Sequence, residues 1–317
     1  MSKYRDHLPQ LAGGIFLTDG GLETTLIFHD KLELPHFAAF QLMKDGTGIE
    51  ALHKYYCAYA SIACGNGLGF VLESPTWRAN PDWGEKLGYS NAALADANGS
   101  AVALMRGLRE QFETPQSPMV ISGCVGPRGD GYDPGKVMSE TEAEAYHSEQ
   151  IGVFRGTDAD LVTAITITNI PEAIGIVRAA RTKGLPVVIS FTLETDGCLP
   201  TGHSLEEAID AVDTATEKTP AYYMINCAHP THFDAAVATN RPWVKRLRGV
   251  RANASSLSHA ELNEALDLDD GNPLEFGVQY GDLLRLHSHI NVLGGCCGTD
   301  HRHIEEIARV CKAASQP

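Results

Sequence analysis

Short apolar runs, each leading into a helix-like stretch, recur along a chain of 317 residues, and eight such units predict an α/β fold, a single closed (β/α)8 barrel of the TIM type. Two further observations agree. The fifth run, Pro186-Val187-Val188-Ile189-Ser190-Phe191, is almost wholly apolar, as a strand covered on both faces should be. The longest irregular stretches, residues 76–88, 124–139 and 194–203, all follow such runs, so they fall at the carboxy-terminal face, where barrels keep their chemistry. No linker interrupts the alternation, and residues 1–317 are expected to form one barrel domain.

The elements follow in order. Residues 15–18 read as the first strand, closing in Asp19-Gly20-Gly21, and a helix over 49–64 carries Tyr55, Tyr56 and Tyr59. The second strand, 68–72, runs into Glu73-Ser74-Pro75-Thr76-Trp77, and an alanine-rich helix spans 91–112. The third strand, 119–122, leads into a loop from Gly123 to Arg128, then a helix over 141–155 with Glu142 and Glu144 placed early, where the helix dipole favours acids. The fourth strand is 161–165, with a helix over 172–182; the fifth, 186–191, precedes a helix opened in capping-box style by Ser204-Leu205-Glu206-Glu207. Residues 222–226, 250–253 and 290–293 supply the last three strands, the seventh being the weakest pattern, and a final helix runs over 300–313.

The net charge of −15 argues against a nucleic acid or an anionic membrane surface as partner. No run of about 18 apolar residues is present and residues 1–10 are too polar for a signal peptide, so a cytoplasmic location is expected. The eight cysteines lack framework spacing, which suits thiols or metal ligands in a reducing compartment.

The chemistry concentrates in Asn291-Val292-Leu293-Gly294-Gly295-Cys296-Cys297-Gly298-Thr299-Asp300. Inside a regular strand adjacent side chains point to opposite faces, so the cysteine pair could share a partner only if the chain bends, and the flanking glycines permit that. Tetrahedral zinc holds thiolates at about 2.3 Å, which sets ligand sulfurs roughly 3.8 Å apart. A third thiolate is then wanted, and Cys227, ending Met224-Ile225-Asn226-Cys227, is the best candidate. A buried or vicinal-disulfide structural pair is the rival reading.

Gly294-Gly295-Cys296-Cys297-Gly298-Thr299, with Asn226-Cys227 and Thr18-Asp19-Gly20-Gly21, resembles the homocysteine S-methyltransferase family, over about residues 10–312. The resemblance implies a barrel with Zn2+ held by Cys227, Cys296 and Cys297. A substrate thiol would enter the open fourth position as thiolate and take a methyl group from a small activated donor. It also implies that Asp19, with Gly20 in the same turn, receives the amino group of homocysteine, although Asp-Gly turn chemistry explains that stretch without a ligand. In the family, strand four ends in a glutamate followed by threonine; here the pair is Ile165-Thr166, so half of the amine clamp is absent. Glu73 and Glu194 are the available substitutes, each equally readable as a solvated loop acid. Asn226 and Asn253, at strand ends, could orient ligand or backbone alike.

The remaining cysteines and histidines read more plainly. Cys57, Cys64 and Cys311 suit helix packing; Cys124 and Cys198 lie in site-facing loops but match no ligand position. His229 is an alternative ligand in a turn context, while His301 and His303 suit a solvated or capping role at a helix start. Trp77 and Tyr132 could wall a cationic donor, and Arg128 reads as an exposed loop residue. No cobalamin- or folate-binding domain is expected, so the expected partners are a small thiol and a donor that is small or delivered by another protein; the oligomeric state is open. Two other readings stand beside methyl transfer: a zinc-dependent demethylase or lyase acting on another sulfur or onium compound, and a non-catalytic zinc or redox-responsive protein.

Overall fold

The computed structural model describes residues 2–239, 241–265 and 267–314. Its parallel strands are β1 (Phe16–Leu17), β2 (Gly69–Glu73), β3 (Met119–Val125), β4 (Leu161–Ile167), β5 (Val187–Thr192), β6 (Tyr222–Asn226), β7 (Leu247–Ala252) and β8 (Val292–Gly295). They pair in chain order and close between β8 and β1, which is the expected (β/α)8 barrel. Helices cover the outside, among them Gly46–Asn66, Asn91–Phe112, Glu140–Arg155, Leu205–Thr216, Pro273–Leu286 and His301–Ala314. The capping box opened by Ser204 is present, its hydroxyl accepting from Glu207 N while the Glu207 carboxylate accepts from Ser204 N. No helix among the described residues is long and apolar enough to cross a membrane.

Alternation along the strands separates two kinds of interior. One face, including Leu17, Phe70, Leu72, Ile121, Val162, Ile189, Ile225, Val250 and Leu293, joins the large cluster shared with the helices. The other face fills the barrel. Phe16, Val71, Val120, Leu161, Val188, Tyr222, Met224 and Val292 form an apolar plug, joined by Leu8 from ahead of β1. Gly249 makes room for the Met224 side chain, which any Cβ there would strike. Two residues further along, the same faces carry Glu73, Ser122, Thr163, Ser190, Asn226 and Arg251, all buried. The barrel interior thus turns from apolar to polar towards its carboxy-terminal mouth.

Several strand limits differ from the sequence reading. β3 continues through Gly123-Cys124-Val125, expected as loop, because those residues pair with Val162, Thr163 and Ala164 of β4. β7 starts at Leu247, three residues early, since Arg248 and Gly249 obscure its pattern, and β8 runs on into Gly294 and Gly295. In β4 the register with β5 shifts between Ala164 and Ile167, and Thr166 sits at φ 61°. The stretch 76–88, expected as irregular, contains the helix Pro81–Lys86, capped by Asn80.

Candidate metal centre and substrate site

β6 ends in Asn226, and Cys227 follows with φ 54°, a left-handed conformation uncommon for a side chain that is not glycine. Backbone bonds hold it there: Cys227 N donates to Arg251 O (3.1 Å) and Cys296 N donates to Ala252 O (2.8 Å), tying both loops to β7. The bend after β8 is a tight turn in which Thr299 N donates to Cys296 O (3.1 Å) and Gly298 takes φ 79°. Positive φ therefore falls on Gly298 and Cys227, not on Gly294 and Gly295. Those two glycines serve close packing instead, since a Cβ on either would collide with the hydroxyl of Thr18 or Thr299. Gly20 and Gly21 lie against the same turn, with Gly21 N donating to Thr299 O (3.0 Å).

The result is that Cys227, Cys296 and Cys297 bring their three sulfurs within 4.8 Å of one another. None of them is in a disulfide. Asn226 Nδ2 donates to Cys227 Sγ (3.2 Å), and Asn226 is itself fixed, its Oδ1 accepting from Ser190 Oγ (2.7 Å) and Thr166 N (2.9 Å). The Tyr132 hydroxyl lies 3.2 Å from Cys297 Sγ and donates to Cys227 Sγ at 3.6 Å. Beside it, the ring of His259 packs on Tyr132 with centroids 4.2 Å apart. His259 Nε2 donates to Cys227 O (2.6 Å), and its Nδ1 is 3.3 Å from Glu194. Hydrogen bonds among the three thiols dominate their titration, some lowering and some raising it; with burial, the sum holds each thiol well above its usual range. Three close thiols, Cys227 buried and the other two partly so, match with that mutual cost the donor set of a thiophilic cation, and the separations suit tetrahedral zinc.

The wall next to the thiols contains a residue the sequence reading passed over. Arg251, from β7, reaches past the glycine end of β8 and places Nη2 2.6 Å from Asp19 Oδ1, with Nη1 paired to Glu73 Oε2. Its Nε donates to Gly295 O (3.1 Å) and its Nη2 also donates to Gly20 O (3.3 Å). The other carboxylate oxygens are taken as well: Tyr55 donates to Asp19 Oδ2 (3.0 Å) and Ser122 to Glu73 Oε1 (3.1 Å). Burial pushes both carboxyls up, and the Arg251 charge beside them pulls them back. Burial also works against the guanidinium, but Asp19 and Glu73 outweigh it and hold Arg251 well above its ordinary value. A signal was present in the sequence: an arginine between Val250 and Ala252, in a strand whose neighbours on either side face the apolar helix layer.

Other expected residues fall in varied places. Glu73 is thus already paired, and Glu194 is 35 % exposed in its loop against His259. Thr166 Oγ1 accepts from Asn226 Nδ2 (3.0 Å), while the buried Asn253 Oδ1 and the Trp77 Nε1 have no hydrogen-bond partner. His229 caps the helix Pro230–Val237, and burial lowers it to about 4. His303 is fully buried and takes the capping alternative, its Nδ1 accepting from Asp300 N (3.1 Å) at the start of the last helix and its Nε2 lying 2.9 Å from Asp270 O. Arg128 is half-exposed and paired with Asp82. Glu23, just after the Asp19 turn, also escaped notice; burial lifts its carboxyl to about 7, with Asp19 adding to the rise.

With this geometry in place, comparison with known proteins decides the kinship. The family model described as homocysteine S-methyltransferase matches residues 16–311. The chain belongs to the homocysteine S-methyltransferase family. Among curated proteins, homocysteine S-methyltransferase 4 of Zea mays is 23 % identical over 96 % of this chain and 91 % of its own length. Betaine–homocysteine S-methyltransferase 1 of Rattus norvegicus is 26 % identical over 54 % of this chain and 44 % of its own. The methionine synthase of Mycobacterium leprae is 25 % identical over 96 % of this chain, which spans only 25 % of that protein. Among solved structures, the metallated form of the homocysteine methyltransferase MmuM from Escherichia coli superposes with a TM-score of 0.75 at 19 % identity, over 98 % of this chain and all of that one. At that identity the likeness speaks for the fold, while the family model makes this homocysteine S-methyltransferase family member an enzyme of the methyltransferase class.

Proposed function

We propose that the protein is a zinc-dependent S-methyltransferase that moves a methyl group from a small activated donor to a thiol, homocysteine or a related compound. The observation that carries this reading is the convergence of the Cys227, Cys296 and Cys297 sulfurs within 4.8 Å at the mouth of the barrel. Zinc held by these three thiolates would supply the positive charge that favours the acceptor sulfur as a thiolate near neutral pH.

The chain's own residues do the remaining work. Asn226 steadies Cys227 through its side-chain amide, and Ser190 and the Thr166 amide hold Asn226. His259 fixes the carbonyl of Cys227, and the Tyr132 ring and hydroxyl cover the thiols from the side of the loop after β3. Burial first, then the three thiols, keep the Tyr132 phenol protonated, well above its ordinary value, so its hydroxyl remains a donor towards sulfur. Attack of a thiolate on a methyl carbon forms one C–S bond, breaks the bond to the donor atom and moves no proton. That explains a site rich in sulfur ligands and donors.

The test is a screen of zinc-loaded protein against thiols, with betaine and trimethylsulfonium as methyl donors, read by mass spectrometry. A methyl thioether formed with at least one pair, and lost in Cys297→Ala, is the expected result. No product from any pair under reducing conditions, at full zinc loading, overturns the proposal.

A further inference from the structure

The turn that carries Asp19 runs straight into a short helix, Leu22–Thr24, whose middle residue is a second acid, Glu23. Its neighbours pin it beside the cysteine bend: a Cβ on Gly21 would strike Cys296 O, and Thr24 Oγ1 accepts from Gly298 N (3.3 Å). Leu22 and Leu26 turn into the core, while Glu23 stays half-buried. The charges that act on it are Asp19 from its own turn, Arg78 from the loop after β2 and Arg251 from β7, and Tyr56 and Cys124 feel its charge in return. Glu23 thus faces the mouth of the barrel. Apart from its own backbone amide, no donor among the described residues reaches its carboxylate, and it takes part in no ion pair there. Burial lifts the carboxyl to about 7, with Asp19 adding to the rise and both arginines opposing it. A recessed acid without a partner costs stability, so folding alone gives no reason to keep it there.

The wall beside it favours a cation. Asp19 and Glu73 share the single guanidinium of Arg251, which leaves that cluster net negative. Each Asp19 oxygen accepts one side-chain hydrogen bond, from Arg251 or from Tyr55, and has a lone pair to spare. Across the mouth, β4 presents Ile165, half-buried and apolar, which offers an ammonium nothing. We infer that Glu23 is the second acid for the acceptor's ammonium group, so that the amine of a 2-amino thiol with its sulfur at the three cysteines sits between Glu23 and Asp19. The inference rests on the proposed thiol methylation and specifies which residue of this chain reads the acceptor. An ammonium there supplies the partner that Glu23 lacks and draws its carboxyl into the ionised form.

The experiment compares homocysteine with 4-mercaptobutyrate, the same chain without the amine, as ligands of the cobalt-loaded protein. Thiol binding is followed by the sulfur-to-cobalt absorption band, with each dissociation constant corrected for that thiol's own pKa. At pH 8 wild type is expected to bind homocysteine about tenfold or more tightly than 4-mercaptobutyrate. Glu23→Gln, which keeps the side chain's shape, should remove about tenfold of that preference and leave 4-mercaptobutyrate binding within about twofold. The wild-type preference should also fall from pH 8 to pH 6 as Glu23 takes up a proton. Tyr56 and Cys124 stay protonated and both arginines stay charged over that range, so Asp19 is the other facing group able to titrate. Asp19 is present in both proteins, so the larger fall in wild type belongs to Glu23. Equal binding of the two thiols by wild type, or a preference that Glu23→Gln leaves unchanged, overturns the inference. A band that responds to neither thiol, nor to ethanethiol, counts against the methyltransferase reading itself, and the inference falls with it.

Discussion

The amide of Cys227 donates to the carbonyl of Arg251 at 3.1 Å, so the first of the three thiols is tied through backbone to the residue that bridges Asp19 and Glu73. Metal centre and charged wall are neighbours on the paired ends of β6 and β7, where Asn226 faces Arg251. Changes at one are expected to register at the other.

Metal content gives the first prediction. Protein purified under reducing conditions should carry about one zinc per chain, and Cys227→Ala, Cys296→Ala or Cys297→Ala should each abolish tight binding. Cys57→Ala should leave it intact, because Cys57 lies on the outer helix Gly46–Asn66. Elemental analysis after dialysis against a chelator reads the outcome; stoichiometric zinc in Cys227→Ala would be inconsistent with three-thiol coordination.

Asn226 supports Cys227 rather than binding metal, which leads to a graded expectation. Asn226→Ala removes a donor to Cys227 Sγ and leaves Ser190 Oγ and Thr166 N without their acceptor. Zinc affinity should fall by roughly 10- to 100-fold without vanishing. Competition with a chelating dye measures it, and an unchanged affinity would show that this support is dispensable.

Arg251 should matter for stability. Arg251→Met leaves two buried carboxylates unpaired, at a cost of about 3–5 kcal/mol. Those carboxyls then have raised folded-state pKa values, so the variant regains stability as pH falls and they take up protons. Urea unfolding at pH 5 and pH 8 would test this; an equal deficit at both would contradict the buried-pair account.

A pH dependence also follows from Glu23. Its carboxyl is lifted from an ordinary 4.5 to about 7, chiefly by burial. A group with a raised folded pKa contributes stability below its unfolded value and loses it as pH rises through the folded one. Glu23→Gln should therefore gain on wild type by about 1–3 kcal/mol at pH 8, and the difference should shrink below pH 5. The same urea series reads it, and a variant less stable than wild type at pH 8 would reverse the assigned sign.

Much of this was legible in the sequence because it follows from local pattern. The β-strand runs, the capping box at Ser204 and the start of the last helix near residue 300 are short-range signals, and the closed barrel follows from their number and order. The cysteine pair and Cys227 were legible because few other chemistries need thiols at two strand ends. Arg251 was hidden because a charged residue in a weak strand reads as outward-facing, and its partners lie 232 and 178 residues away in sequence. His259 and Glu23 were missed for a related reason: each gains its meaning from burial beside groups that only barrel closure brings near. The strand limits slipped where glycine or arginine broke the apolar pattern, as at the start of β7, since pairing with β6 and β8 fixes those residues, not propensity.

The most direct measurement is methyl transfer from deuterium-labelled donor by wild type and Cys296→Ala, both incubated with the same zinc, with thiol and thioether followed by mass spectrometry. Wild type should form labelled methyl thioether in step with its zinc content, lose that activity on chelation and regain it on adding zinc back, while Cys296→Ala stays inactive throughout. Methyl transfer that persists in the chelated wild type, or in Cys296→Ala at the wild-type rate, would contradict the account.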